Sequence, residues 1–190
     1  MATTLRRHPG LLDRDAAVLV VIDTQEAYRS VLHEYERVAR AIATVVRGAL
    51  TLGVPVVATE QYPKGLGRTV AEVATHFPPD LVAIEKLSLS CCGAPGFVSA
   101  LDGLRRRQVV ITGVETHACV NQTTHDLIAA GYHVHVVRDA TSSRRPLECE
   151  IGWEKMMAAG AVPATVESVL LELLRTAEAA EFKAIQRLIL

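Results

Sequence analysis

The chain has 190 residues, 49% of them apolar, with 20 Lys and Arg against 21 Asp and Glu for a net charge of −1. That length and apolar share suit a single domain, expected over residues 11–190 behind a mobile arm at 1–10. The balanced charge selects neither nucleic acid nor an acidic partner, and no run suits a membrane span or a signal peptide.

AAVLVVID (16–23) is a continuous apolar run, as in strands covered on both faces, and it ends in Asp23. EYERVARAIATVVRGALTL (34–52) repeats Val38, Ile42, Val45, Val46 and Ala49 at helical steps, and Gly53 stops it. VPVVAT (54–59) is a second strand. EQYPKGLG (60–67) is expected as a loop, because Pro63, Gly65 and Gly67 interrupt regular structure. LVAIEK (81–86) makes a third strand, residues 95–107 a helix opened by Pro95, and QVVITG (108–113) a fourth strand. The arginines at 105–107 read as a solvated helix end. Residues 117–130 form a helix capped by Gly131, and YHVHVV (132–137) is the fifth strand. DATSSRRP (139–146) reads as a loop, 147–159 as a helix, 161–165 as a sixth strand and the leucine-rich tail from Val166 as helix. This alternation predicts an α/β, Rossmann-like three-layer αβα fold on a mostly parallel six-stranded sheet with right-handed crossovers.

Ligands of such sheets bind beyond the carboxyl ends of the strands. Asp23 ends the first strand, Lys86 the third, and Cys119 follows the fourth, so all three are expected on one rim. Singly they read as a turn residue, a surface lysine and a buried small residue. Jointly they describe a nucleophilic thiol with proton carriers: Lys86 and the helix start are expected to lower the thiol pKa, and Asp23 to take its proton. Four cysteines, at 91, 92, 119 and 149, form no CxxC pair and no zinc spacing, and a reducing cytoplasm with free thiols is the expectation. Cys91 and Cys92 read as packing, or as resolving thiols if the chain is a redox sensor. His133 and His135 share a strand face but are too few for a metal site. His117 reads as an exposed first-turn residue. Asp139 is expected to hold its loop, Ser142 or Ser143 to cap the next helix, and Trp153 to pack or meet another subunit.

VLVVIDTQ (18–25), the lysine of EKLSLS (85–90), GVETHACV (113–120) and DATSSR (139–144) together resemble the isochorismatase-like cysteine hydrolase superfamily, which includes nicotinamidases and N-carbamoylsarcosine amidases. The resemblance spans about residues 11–175, and TEQYPKGLG (59–67) and EFKAIQRLI (181–189) are similar to its isochorismatase domain-containing subgroup. It implies a catalytic triad of Asp23, Lys86 and Cys119. It implies an oxyanion hole from the backbone N–H groups of Glu115 and Cys119. It also implies a non-proline cis peptide between Val114 and Glu115 that turns the Glu115 amide toward the oxyanion. The activity implied is hydrolysis of a small amide or related C–N bond through a Cys119 thioester, in a homo-oligomer such as a dimer or tetramer. The apolar face of Val169, Leu170, Leu173 and Leu174 serves either that contact or the chain's own sheet.

Metal-dependent nicotinamidases carry an aspartate and a histidine where this chain has Gln61 and Pro63, so neither a metal nor another cofactor is expected. Enzymes that cleave the vinyl ether of isochorismate often lack the cysteine, so Cys119 speaks against that reaction. It stays open as an alternative, beside a non-catalytic binding or scaffold protein on the same fold. The walls of a small-molecule pocket are assigned to Gln25, Tyr28, Glu60, Gln61, Tyr62, Leu89 and Thr116, with the 60–67 segment governing substrate choice.

Overall fold

Every side chain of strand β1 (Ala17–Ile22) is buried. The cause is the position of β1 in a six-stranded, wholly parallel sheet of order β3-β2-β1-β4-β5-β6. The other strands are β2 (Val56–Gln61), β3 (Ile84–Lys86), β4 (Gln108–Val114), β5 (His133–Ser142) and β6 (Val162–Ala164). In chain order the helices are α1 (Tyr35–Thr51), α2 (Pro63–Leu66), α3 (Ala71–Ala74), α4 (Phe97–Leu104), α5 (Asn121–Ala129), α6 (Pro146–Ala158), α7 (Val166–Leu174) and α8 (Phe182–Ile189). These come from a computed structural model that describes residues 7, 8 and 10–190. Most of the arm expected at 1–10 lies outside the described residues, and Arg7 donates to the Glu172 carbonyl at 2.8 Å.

The strand period of two sorts β1 into two cores. Leu19 and Val21 join Val110 and Val137 under α1, α7 and α8, while Val18, Val20 and Ile22 join Ile111, Val134 and Val136 under α4, α5 and α6. The three-layer αβα architecture expected from the alternation is the one found. In α1, Val38, Ala39, Ile42, Val45, Val46 and Ala49 form the buried stripe, as their spacing requires. Val169, Leu170 and Leu173 of α7 are buried in the same core, so that apolar face packs on the chain itself. Among the described residues no helix is long and apolar enough to cross a membrane.

Several expectations are corrected. The 60–67 segment is not a loop: β2 continues to Gln61, and α2 starts at Pro63, which is suited to a first helical turn. Residues 139–142 are not a loop either. Ile111 pairs with Val136 while Gly113 pairs with Thr141, so extra β5 residues bulge out between these pairs and the strand resumes to Ser142. Polar Asp139 and Thr141 resemble turn residues in sequence, but the bulge keeps them in the strand. Asp139 Oδ1 accepts from Val166 N at 3.0 Å, tying β5 to the start of α7. Neither Ser142 nor Ser143 caps α6, whose N-cap is Arg145. The helix expected at 95–107 is shorter, with Gly96 rather than Pro95 before its first residue. The tail divides into α7 and α8.

The arginines at 105–107 are not simply solvated. Arg106 donates to the Ala17 carbonyl at 2.9 Å, and Arg107 lies 5.0 Å over the Tyr132 ring. Trp153 is buried on α6 with Arg138 5.4 Å over its ring.

His133 and His135 share a face, yet the first is exposed and the second fully buried with neither ring nitrogen hydrogen-bonded. Burial, with a smaller push from His133, lowers the His135 pKa to about 4. The folded chain therefore resists a proton that the unfolded chain accepts near pH 6.5. Stability is complete above that pH and falls as pH drops toward 4. Urea unfolding of wild type should lose about 2 kcal/mol more between pH 7 and pH 5 than His135→Leu. Equal losses would show that His135 is not the acid-sensitive group.

Candidate active site

Chain order reverses at β1, with β2 on one side and β4 on the other, which opens a crevice beyond their carboxyl ends. Close approach of the two strands there depends on Gly113, at φ 110: a Cβ would stand 2.0 Å from the Ile22 carbonyl oxygen. Asp23 follows β1 with φ 48, a left-handed conformation that aspartate tolerates better than most residues. Its amide donates to the Thr59 carbonyl at 3.1 Å, turning its carboxylate into the crevice. The peptide bond between Val114 and Glu115 is cis. After it the chain makes a wide turn, Thr116–Val120, in which the amides of Ala118 and Val120 both donate to the Glu115 carbonyl, at 3.0 and 3.2 Å. Cys119 lies in this turn, just before α5. Gly152 lets α6 lie directly against it, since a Cβ there would stand 2.8 Å from His117 Cα.

Asp23 is 0%, Lys86 3% and Cys119 3% exposed. Lys86 Nζ stands 2.7 Å from Asp23 Oδ2. The ammonium also donates to Gln61 Oε1 at 2.7 Å and lies within hydrogen-bond distance of the Ser88 and Leu89 carbonyls, at 3.2 and 3.1 Å. Asp23 Oδ2 faces the same ammonium in a close, fully buried ion pair with hydrogen-bond character, while Oδ1 accepts from Thr59 Oγ1 at 2.7 Å. Burial pulls the Lys86 pKa down, but Asp23, by its charge and a hydrogen bond, and the neighbouring sulfurs outweigh it, and the net shift is upward. Lys86 is a fixed cation at neutral pH.

Cys119 lies near enough to feel both charges. Burial first, then Asp23, push its thiol up to about 12, and Lys86 offsets only part of this. The expectation of a lowered thiol pKa is overturned. The helix start and the ammonium are present, but desolvation costs the thiolate more than they return. Sulfur rests protonated, with the Asp23 carboxylate and the Lys86 ammonium both in hydrogen-bond reach.

The other assigned residues divide. Tyr28 stands near Asp23 and Cys119: burial, then the charges of Cys119, Glu115 and Asp23, drive its phenol pKa upward against a weaker pull from Arg144. Gln25 instead staples the 60–67 segment, donating to the carbonyls of Gln61 and Gly67 at 2.9 and 2.7 Å and accepting from Gln61 N at 2.7 Å. Glu60 accepts from Thr69 N and Arg68 Nη1 at 2.7 and 2.8 Å, so its oxygens serve the same segment. Thr116 is fully buried and its hydroxyl accepts from Cys149 of α6 at 3.4 Å. Leu89 contributes its carbonyl to Lys86, and its side chain is exposed. Tyr62 is half-exposed beside Lys86, Leu87 and Pro95 on a cavity of about 440 Å³. A second cavity, of about 340 Å³, is walled by Glu115, His117 and Arg144. Neither wall includes Cys119 or Asp23. A larger one, of about 640 Å³, lies at the start of α1 around Arg29, Arg37 and Arg40, and its wall includes none of Asp23, Lys86 and Cys119.

His117 is half-buried rather than exposed, with Nδ1 3.0 Å from Ser143 Oγ. Sequence reasoning gave no role to Thr59 or Arg144. Thr59 pairs with Ile22 across the sheet and so stands next to Asp23; a hydroxyl closing the apolar run VPVVAT was the available signal. Arg144 donates from its amide and Nε to Glu115 Oε1, at 2.9 and 3.0 Å, and pins the residue after the cis bond. A metal of the nicotinamidase kind does not fit. Gln61 Oε1 is occupied by the Lys86 ammonium, Pro63 offers no side-chain donor, and among the described residues no cluster of three or more His, Cys, Asp or Glu could hold an ion.

The family model described as the isochorismatase domain matches residues 17–168. Isochorismatase domain-containing protein 1 of Danio rerio is 37% identical over 180 residues, which is 95% of this chain but 63% of that relative's length. The structure of MAR1 ribonuclease from Caenorhabditis elegans superimposes with a TM-score of 0.90 at 33% identity, covering 94% of this chain and 92% of that one. YcaC from Pseudomonas aeruginosa, solved with hexane-2,5-diol and covalent acrylamide, is 25% identical with a TM-score of 0.87, covering 95% of this chain and 92% of that one. Family match, parallel sheet order and relatives agree, and the chain belongs to the isochorismatase-like hydrolase superfamily.

Proposed function

We propose that residues 11–190 form one cysteine hydrolase domain that cleaves a small amide or related C–N bond, in a reducing cytoplasm and as a homo-oligomer. One observation carries this reading: a buried Cys119 thiol lies in hydrogen-bond reach of both members of a buried Asp23–Lys86 ion pair. The covalent acrylamide in YcaC supports a reactive nucleophile and an amide-sized ligand on this fold. A polymer such as RNA suits the site less well, because Asp23 and Cys119 are 0% and 3% exposed.

Asp23 Oδ2 takes the Cys119 proton as sulfur attacks the carbonyl carbon, so the thiolate never has to accumulate. The carbonyl electrons move to oxygen, which the amides of Glu115 and Cys119 receive. As the intermediate collapses the C–N bond breaks, and the nitrogen leaves with the proton held by Asp23. Water then gives a proton to Asp23 and attacks the thioester, and sulfur departs as the thiol with that proton. Lys86 keeps its charge throughout and stabilises Asp23 whenever it is ionised.

Acid-quenched turnover mixtures from a panel of small amides and carbamoyl compounds should yield an acyl mass on the peptide containing Cys119. Turnover at the wild-type rate by Cys119→Ala would overturn covalent catalysis. The same panel with isochorismate tests vinyl-ether cleavage, which needs no thiol.

A further inference from the structure

The triad accounts for one oxygen of Asp23. The other is held by a residue that the mechanism does not use. Thr59 is 1% exposed and its hydroxyl stands 2.7 Å from Asp23 Oδ1. The same hydroxyl oxygen stands 3.7 Å from Cys91 Sγ, a contact in which either atom could donate. Chemistry decides the direction. An ionised carboxylate only accepts, so the single Thr59 hydrogen is committed to Asp23, and Cys91 must supply the hydrogen between them. Cys91 is suited to this: it is fully buried, and burial, then the charge of Asp23, hold its proton on by pushing its pKa to about 11. Its backbone N–H donates to Thr123 Oγ1 at 2.9 Å, and Thr123 lies on α5, the helix that continues the Cys119 turn. A buried chain thus runs from the Cys91 thiol through the Thr59 hydroxyl to Asp23, anchored on the helix next to the nucleophile.

We propose that Thr59 is a positioning residue of the hydrolytic site: its hydroxyl, committed by Cys91, fixes Asp23 through Oδ1 and leaves Oδ2 as the oxygen that exchanges protons with Cys119. This rests on the hydrolase reading above. The hydroxyl does two things. It sets the rotation of the carboxylate, so that Oδ2 faces the thiol and the ammonium. It also draws negative charge toward Oδ1, which weakens the hold of Asp23 on the thiol proton.

Thr59→Val keeps the shape and the strand preference but removes the donor, and Thr59→Ser keeps the donor. Two readouts are needed. The first is the rate at which iodoacetamide labels Cys119 at pH 8, followed by peptide mass spectrometry so that Cys91, Cys92 and Cys149 are scored separately. It requires no substrate. Thr59→Val should label about tenfold more slowly, because the carboxylate charge beside the thiol is no longer shared with a hydroxyl. Thr59→Ser should restore the wild-type rate. The second is steady-state turnover: kcat should fall about tenfold in Thr59→Val with KM unchanged, since Thr59 does not touch the substrate.

Wild-type labelling in Thr59→Val, or failure of Thr59→Ser to restore it, overturns the proposal. The two readings fail separately. If labelling moves as stated but no amide is turned over, the hydrolase reading falls and the Thr59–Asp23 coupling stands. If Cys119-dependent turnover is found and neither rate responds to Thr59→Val, the positioning role falls and the hydrolase reading stands.

Discussion

Asp23→Asn should move two properties of Cys119 in opposite directions. Hydrolysis should fall by about a thousandfold, because the amide cannot take a proton from sulfur or give one to the leaving nitrogen. Iodoacetamide labelling of Cys119 at pH 8 should become at least about tenfold faster. The thiol is pushed up to about 12 by burial and by the Asp23 charge, and Lys86 offsets part of this. Removing the carboxylate charge leaves the ammonium facing the sulfur alone, which favours thiolate. A base that merely pre-forms the thiolate predicts the reverse, with both properties falling together, and slower labelling in Asp23→Asn would sink the arrangement argued here. The backbone should tolerate the change, since asparagine adopts the φ of 48 found at Asp23 as readily as aspartate. Lys86 keeps its three hydrogen bonds but loses its ion partner in a buried site, so stability should drop by about 3 kcal/mol. Urea unfolding at pH 7 measures that cost and keeps it apart from the chemistry.

Gly113→Ala should be the most damaging small substitution in the sheet. The added Cβ would meet the Ile22 oxygen at 2.0 Å and its carbon and nitrogen at 2.7 Å, in a backbone conformation (φ 110) that side chains avoid. Ile22 and Gly113 are in register between the two central strands, so the clash is with backbone that neighbours hold on both sides. No rotamer relieves it. A loss of more than about 4 kcal/mol is expected, with Tm lower by about 10 °C or more. Because Asp23 is the next residue after Ile22, the carboxylate should also be displaced and turnover lost in whatever protein folds. A melting curve like wild type would mean that the β1–β4 approach is looser than described.

Much of the sheet was legible beforehand because buried parallel strands leave a plain signature. Ala17 to Ile22 could be read as a strand covered on both faces, and the helical stripe of α1 follows from its spacing. Element ends were less legible. The sequence suggests that β5 ends at 137, because Asp139, Thr141 and Ser142 have turn chemistry, and only pairing with β4 across the bulge draws them into the ladder. Residues 60–67 looked irregular because Pro63 and the glycines interrupt a strand, yet Pro63 is also a good first residue for the short helix α2. The Cys119 thiol shifts in the opposite sense to the one its neighbouring charges suggest. Neighbouring charges can be inferred from motifs, but the desolvation that outweighs them is a property of the assembled interior.

Residue types and their order along the chain were enough to imply a parallel α/β sheet and to place a thiol, a carboxylate and an amine at strand ends on one rim. Those are local consequences of periodicity, and periodicity is written in the sequence. How the three groups divide a proton was set by the folded interior: which Asp23 oxygen Thr59 occupies, which acceptors absorb the Lys86 hydrogens, and how far Cys119 is removed from water. Hydrogen-bond partners and burial come from contacts between residues remote in the chain, and such contacts exist only once the sheet has formed.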